Sequence, residues 1–174
     1  RGETIAETAR TLSRYVNIIM ARLFAHADAE ELARNASVPV INGLTDEHHP
    51  CQALADLFTI YEKFGKIDEN LKVAFVGDGT ENTYTSLIQA CQMFGIKTAV
   101  ACPKGYLPKV KTEVTADPFK AVKGADVVYT DVWISMGQEK EKEERMKTFK
   151  QYQVTAKLMN AAKPGAIFMH CLPA

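Results

Sequence analysis

The chain has no Cys-x-x-Cys pair among its four cysteines (Cys51, Cys91, Cys102 and Cys171), which removes the usual spacing of zinc and dithiol redox sites. It has no apolar run near the ~18 residues that a membrane helix needs. No signal-peptide pattern is present, and unpaired thiols fit a reducing compartment, so the expected location is the cytoplasm. Charge of one sign is also missing: Lys plus Arg and Asp plus Glu count 21 each. No global field therefore draws the chain to nucleic acid or to an anionic membrane, and any anion site must be built locally. There is no internal repeat and no low-complexity tract. The 174 residues allow one full domain or two halves of a larger protein. Both ends read as cut: Arg1-Gly2-Glu3-Thr4 runs straight into a helix, and the last residues stand at a turn past an apolar strand. The expectation is a fragment.

What is present alternates strands with helices. Helical spacing runs from Thr4 to Val16, and Asp28 is placed to cap a helix over Ala29 to Asn35. A third helix, Pro50 to Phe64, opens with proline at its first position, where the missing N–H costs nothing. Short apolar runs mark strands: Ile18 to Leu23 with Arg22 at its mouth, Val38 to Gly43, Leu71 to Val76, Lys97 to Cys102, Thr112 to Thr115, Asp126 to Thr130 and Ile167 to Met169. The first and last of these read as buried. Further helices are expected over Thr83 to Phe94, Phe119 to Lys123 and Val154 to Ala162. This alternation implies an α/β fold of two parallel-sheet, Rossmann-like domains, the first incomplete and the second truncated. The polar stretch Gly65 to Asn70 is the natural boundary, giving segments 1–49, 50–70 (connecting helix and linker) and 71–174. Only Pro103 to Lys111 separates two strands, while a parallel crossover needs about a dozen residues or more. Either Thr112 to Thr115 is a weakly attached edge strand, or a helix is absent from the sequence; the second reading is preferred. Glu139 to Lys147 is a charge run read as a solvated face.

Three clusters could carry chemistry. His48-His49-Pro50-Cys51-Gln52 stands at a helix start, where free N–H groups favour an anion or a polarised carbonyl. The plainer alternative is a histidine capping its own helix; zinc on His48, His49 and Cys51 fits poorly, because adjacent donors on a rigid turn suit tetrahedral ligation badly. Thr130-Asp131-Val132-Trp133-Ile134-Ser135-Met136-Gly137 sends a carboxylate out of a strand end, where it can receive an ammonium or simply start a turn. His170-Cys171-Leu172-Pro173 puts an imidazole and a thiol at another strand end, the place where open α/β sheets bind ligands. Gly77-Asp78-Gly79 to Asn82 invites a dinucleotide reading, but the third glycine and the following acid are missing. Cys91 and Cys102 lie in apolar stretches and read as core thiols.

Taken together, His49-Pro50-Cys51-Gln52, Asp131 to Gly137 and His170 to Pro173 resemble the aspartate/ornithine carbamoyltransferase family, over essentially the whole chain. The His-Pro-x-Gln motif marks the wider family, and Ser135-Met136-Gly137 with His170-Cys171-Leu172-Pro173 points to its ornithine branch. The resemblance implies transfer of a carbamoyl group from carbamoyl phosphate to L-ornithine, giving L-citrulline and phosphate, with no metal and no organic cofactor. It implies that His49 and Gln52 hold the carbamoyl group and Arg22 its carbonyl oxygen and phosphate. Cys171 and Leu172 would lie beside the carbamoyl amide and the attacking amine. Asn82, Asp131, Ser135 and Met136 would bind the amino-acid end of ornithine. Arg22, His49, Asp131 and Cys171 are thus the expected catalytic set. A homotrimer, or a multiple of it, is implied, with no nucleic-acid or membrane partner. The family's Ser-x-Arg-Thr-Arg phosphate loop is not in this sequence, and Thr80-Glu81-Asn82 has one asparagine where the family often has two. The expectation is a fragment inactive by itself. Transfer to another amine such as putrescine or a modified ornithine, and a non-catalytic amino-acid-binding module, are the competing readings.

Overall fold

The computed structural model describes residues 2–134 and 139–173, without the side chain of Glu139. The first part is a small layered unit. Helix α1 (Ile5–Leu12) is closed at its start by a reciprocal pair in which Thr4 Oγ1 accepts from Glu7 N and the Glu7 carboxylate accepts from Thr4 N. It ends four residues before the expected Val16, where Arg14 N and Tyr15 N bond three residues back, to the Thr11 and Leu12 carbonyls, instead of four. Strands β1 (Ile19–Arg22) and β2 (Val40–Leu44) pair in parallel, with α1 and α2 (His26–Asn35) packed together around Ala9, Ile19 and Leu32. The pairing slips between Ala21 and Arg22, so Arg22 faces Leu44 and Gly43 is passed over. A Cβ on Gly43 would meet Met20 Sδ at 2.5 Å and the Ala21 carbonyl at 3.2 Å, so this bulge needs glycine. Only Ile19 of β1 is buried, which corrects the reading of a buried strand: β1 pairs with β2 alone among the described residues. Helix α2 also starts earlier than expected. Its first N–H, on His26, is met by Asp46 Oδ1 at 2.9 Å, while Asp28 sits inside the first turn rather than capping it.

Helix α3 (Pro50–Phe64) spans the expected residues and stops at Gly65, whose φ of 71° suits a residue without Cβ. It packs on α4 (Asn82–Met93), and both cover one face of a second sheet. That sheet is fully parallel, in the order β5 (Glu113–Thr115), β4 (Lys97–Ala101), β3 (Lys72–Val76), β6 (Val127–Thr130), β7 (Ile167–His170). Its two faces follow the period of two along each strand. Val73, Phe75, Val100, Val127 and Tyr129 point to α3 and α4, where Phe75 stacks on Tyr84 at 4.1 Å. Ala74, Ala99 and Ala101 point the other way, and their small size lets α5 (Pro118–Val122), α6 (Lys142–Phe149) and α7 (Ala156–Met159) approach closely. Cys91 and Cys102 are buried, as expected of core thiols.

Three expectations need correction here. The final strand β7 is an edge strand with Phe168 half exposed, not a buried one. The helix expected over Val154 to Ala162 shrinks to the single turn of α7, capped by Thr155 Oγ1, which accepts from Leu158 N. The charge run is not all solvated: Arg145 of α6 is buried. As for the short crossover, β5 is attached at the sheet edge as a three-residue strand, in register from Ala99–Glu113 to Ala101–Thr115. No helix intervenes between β4 and β5; Thr98 and Thr112 hydroxyls bond at 2.8 Å and Gln92 Nε2 donates to the Lys111 carbonyl at 2.7 Å to hold the link. Among the described residues no helix is long and apolar enough to cross a membrane.

Candidate active site

The chain leaves β3 toward β4 and β5 on one side, and β6 and β7 lie on the other. The carboxyl ends of β3 and β6 therefore meet at a point where the strand order reverses, the usual ligand position in open parallel sheets. A cavity of about 1100 Å³ lies there, and the first unit closes its opposite wall with residues that follow β1 and β2. Seven of the nine residues singled out from the sequence line this one cavity: Arg22, His49, Gln52, Asn82, Asp131, Cys171 and Leu172. Ser135 and Met136 lie outside the described residues.

Each side chain is placed by a local cause. Arg22 is exposed at the end of β1, where the bulge at Gly43 in β2 brings it opposite Leu44. His49 precedes Pro50 of α3; its backbone N donates to Ser86 Oγ on α4 at 2.7 Å, and its side chain makes no cap bond to its own helix. The capping alternative is thereby removed. His49 Nδ1 is buried without a hydrogen-bond partner. Burial, then the Arg22 charge, pushes the His49 pKa down, partly offset by Asp131. The imidazole is thus neutral near pH 7 and carries one N–H donor. Gln52, one turn along α3, donates from Nε2 to Asp56 Oδ1 at 2.9 Å. Asn82 opens α4 and donates to the Thr45 carbonyl at 2.6 Å, stitching the two units together beside the cavity.

Asp131 follows β6. Its Oδ1 accepts from Val132 N at 2.7 Å and from Cys171 Sγ at 3.0 Å. Burial, then this bond to Asp131, pushes the Cys171 thiol up to about 12, so it is a thiol rather than a thiolate. A nucleophilic role is therefore chemically disfavoured. Leu172 has φ of 56°, a left-handed conformation unusual for a branched side chain, and its N–H donates to His170 Nδ1 at 2.8 Å. Such strain costs about 1–3 kcal/mol and clusters at ligand sites.

Ligating atoms of Asp131, His170 and Cys171 lie within 4.8 Å of one another. His48 does not join His49 in the cavity. It packs edge-on against His26 at 4.8 Å and lines a separate cavity of about 260 Å³ with Lys109, and Cys51 is bonded to the Asn42 carbonyl. The zinc grouping of His48, His49 and Cys51 is not formed.

Sequence reasoning missed the supports beneath the site. Arg145 pairs with Asp78 in the turn after β3, donates to the Trp133 carbonyl and lies over the rings of Tyr106 and Phe149 at 5.2 and 5.1 Å. Arg145 and Phe149 are buried one turn apart on α6, and Tyr152 is buried in the 3-10 turn that follows. Asp56 was missed in the same way, one turn after Gln52.

Two parallel sheets meeting at a cleft, with an arginine and a neutral imidazole on one side and a carboxylate beyond them, define an α/β protein with a polar pocket at the carboxyl ends of its strands. Residues 1–62 match the carbamoyl-P binding domain, and residues 69–174 the Asp/Orn binding domain, of the aspartate/ornithine carbamoyltransferases. The chain belongs to that family. The ornithine carbamoyltransferase of Pyrococcus abyssi is 55% identical over 189 residues, covering 100% of this chain and 59% of the relative. That of Thermococcus kodakarensis is 56% identical, with the same coverage. The solved ornithine carbamoyltransferase from Pyrococcus furiosus superposes with a TM-score of 0.93 at 54% identity, over 100% of this chain and 60% of that one. The chain thus spans about 60% of the length of these relatives. These alignments run over 189 positions for 174 residues, so the relatives carry residues with no counterpart here.

Proposed function

We propose that the protein bearing this chain transfers the carbamoyl group of carbamoyl phosphate to the δ-amine of L-ornithine, releasing L-citrulline and phosphate. The observation that carries this reading is the convergence of Arg22, His49, Gln52, Asp131 and Cys171 on one cavity, in a chain more than half identical to ornithine carbamoyltransferases. In this reading residues 1–49 are part of the carbamoyl-phosphate-binding domain, 50–70 a connecting helix and linker, and 71–174 the ornithine-binding domain.

Carbamoyl phosphate lies against Arg22, His49 and Gln52, and ornithine against Asn82, Asp131, Ser135 and Met136. The δ-amine, ordinarily an ammonium near pKa ~10, loses its proton on entering a poorly solvated cleft. Its lone pair attacks the carbamoyl carbon, and the carbonyl electrons move onto oxygen. Arg22 and the N–H of neutral His49 stabilise that oxyanion, a role worth on the order of 10²–10³ in rate for a single donor. As the oxyanion collapses, the carbon–oxygen bond to phosphate breaks, and phosphate leaves with the electron pair and takes up the extra proton that the new amide sheds. Cys171 donates to Asp131 and stays unmodified. This is polar acyl transfer with no change of oxidation state, so the proposal contains no cofactor. A cytoplasmic homotrimer, or a multiple of it, acting in arginine metabolism or the urea cycle completes the proposal.

The test is a colorimetric citrulline assay on the protein bearing this chain, with ornithine and putrescine offered in parallel. Citrulline from ornithine and little product from putrescine is expected. Product from putrescine alone, or from neither amine while both substrates bind, refutes the reading.

A further inference from the structure

Beneath the carbamoyl side of the cavity lies a carboxyl group that the proposed reaction does not use. Asp56 is 3% exposed, on α3 one turn after Gln52, and its Oδ1 accepts from Gln52 Nε2 at 2.9 Å. Its Oδ2 and the hydroxyl of Tyr129 on β6 are both buried and neighbour each other without a well-formed hydrogen bond, close enough for the hydroxyl to favour the charged carboxylate. An ionised carboxylate can only accept. It therefore holds the amide nitrogen of Gln52 inward and leaves the Gln52 carbonyl oxygen for the cavity that this residue lines. The orientation of an amide is set by its hydrogen-bond network, and here an acceptor-only neighbour decides it.

We infer that Asp56 is a positioning and specificity residue: it makes the cavity wall at Gln52 an acceptor, selecting an acyl phosphate with N–H donors over one with a methyl group there. The selectivity rests on the carbamoyl phosphate reading above; the coupling of Asp56 to Gln52 does not.

Protonation weakens the wall. A proton on Oδ1 gives Asp56 an O–H that donates to the Gln52 oxygen and turns the amide nitrogen toward the cavity, whereas a proton on Oδ2 leaves the Gln52 bond in place, so the acid form mixes the two walls. Burial pushes the Asp56 carboxyl up to about 6; the Gln52 amide and the nearby Tyr129 hydroxyl pull it down, and the Asp131 charge adds to the rise. Around it stand Tyr129 of β6, Cys91 of α4, and Asp131 and Cys171 past the ends of β6 and β7. Burial raises Tyr129, Cys91 and Cys171, so all three stay neutral between pH 5 and 8.

The test compares carbamoyl phosphate with acetyl phosphate, which has a methyl where the former has its amine. Calorimetric titration at pH 8 should show carbamoyl phosphate preferred by about five- to hundredfold, the range for leaving one buried acceptor unpaired. At pH 5 the preference should fall several-fold, and in Asp56→Asn it should be the same at both pH values. The ratio cancels titration of the phosphate and of His49, which both ligands share. In the ligand-free wild-type protein, the Gln52 side-chain amide resonances should shift with a midpoint near pH 6, an arm that needs no variant. A Gln52 amide silent from pH 5 to 8, or a wild-type preference independent of pH, overturns the inference. Absence of binding by either acyl phosphate, with the Gln52 amide still titrating, overturns the carbamoyl phosphate reading and the selectivity, and supports the coupling of Asp56 to Gln52.

Discussion

Replacing Arg145 by methionine tests whether the floor of the cleft is held by a buried ion pair. The Arg145 side chain is 3% exposed and that of Asp78 0%. Methionine keeps the apolar stem between Tyr106 and Phe149 but removes the charge and the donor to the Trp133 carbonyl. Asp78 would then be an uncompensated buried carboxylate, still accepting from Thr80 N at 2.9 Å and Thr80 Oγ1 at 2.6 Å through its other oxygen. Breaking one partner of such a pair costs about 3–5 kcal/mol. A domain stable by about 5–15 kcal/mol loses roughly a fifth or more of its stability that way. Asp78→Asn in the Arg145→Met background removes the stranded charge and should recover about 2 kcal/mol or more, as expected for directly contacting residues. Urea unfolding followed by Trp133, the single tryptophan of the chain, reads all four corners of the cycle and also senses loss of its own carbonyl bond. A cost below ~1 kcal/mol for Arg145→Met, or a coupling below ~0.5 kcal/mol, refutes the argument, since distant independent sites already add to within that margin.

Asp131→Ala should raise the ornithine concentration needed for half-maximal citrulline formation and leave the carbamoyl phosphate requirement nearly unchanged; the reverse pattern contradicts the division of the cavity. His49→Ala should lower turnover on the order of 10²–10³, the loss typical of one oxyanion donor, and a loss under tenfold argues against that role. Asp56 carries a stability consequence with a definite sign. Its carboxyl is raised from 3.8 to about 6 on folding, so the native state binds more protons in that window and stability falls as pH rises through it. At about 1.4 kcal/mol per pH unit, Asp56→Asn should stabilise the fold by about 2–3 kcal/mol at pH 8 and not at all below pH 4. Urea midpoints at the two pH values check it, and destabilisation at pH 8 contradicts it. Gly79→Ala would bring a Cβ within 2.6 Å of the Tyr106 carbonyl and 3.0 Å of Pro108. Because the blocking atom is backbone, a cost of about 1–3 kcal/mol or more is expected, read as a lower thermal midpoint.

What could be read from the sequence was whatever had a local cause. Helix α3 was legible to the residue because Pro50 starts it and Gly65 ends it. The convergence of the three clusters on one cavity was legible because polar residues stand after strand ends or at a helix start, and parallel sheets bring such ends together. The start of α2 was hidden because its cap comes from Asp46, twenty residues away. Burial of β1 and β7 was overestimated because an apolar strand shows only that it can be buried, while the number of neighbouring strands and helices decides whether it is. Arg145 was misread because its neighbours in sequence are charged and solvated, whereas its partners, Asp78 and Tyr106, come from the distant turns after β3 and β4.

In the proposed reading a carbamoyl donor and an amino-acid acceptor meet in one cleft between the two sheets. Mapping amide shifts of the labelled protein on addition of carbamoyl phosphate, then of L-ornithine, tests it most directly. Shifts clustered at Arg22, His49, Gln52 and Cys171 for the first ligand, and at Asn82 and Asp131 for the second, are the predicted result. Shifts confined to the outer face of β1, or to the smaller cavity beside His48 and Lys109, would contradict it.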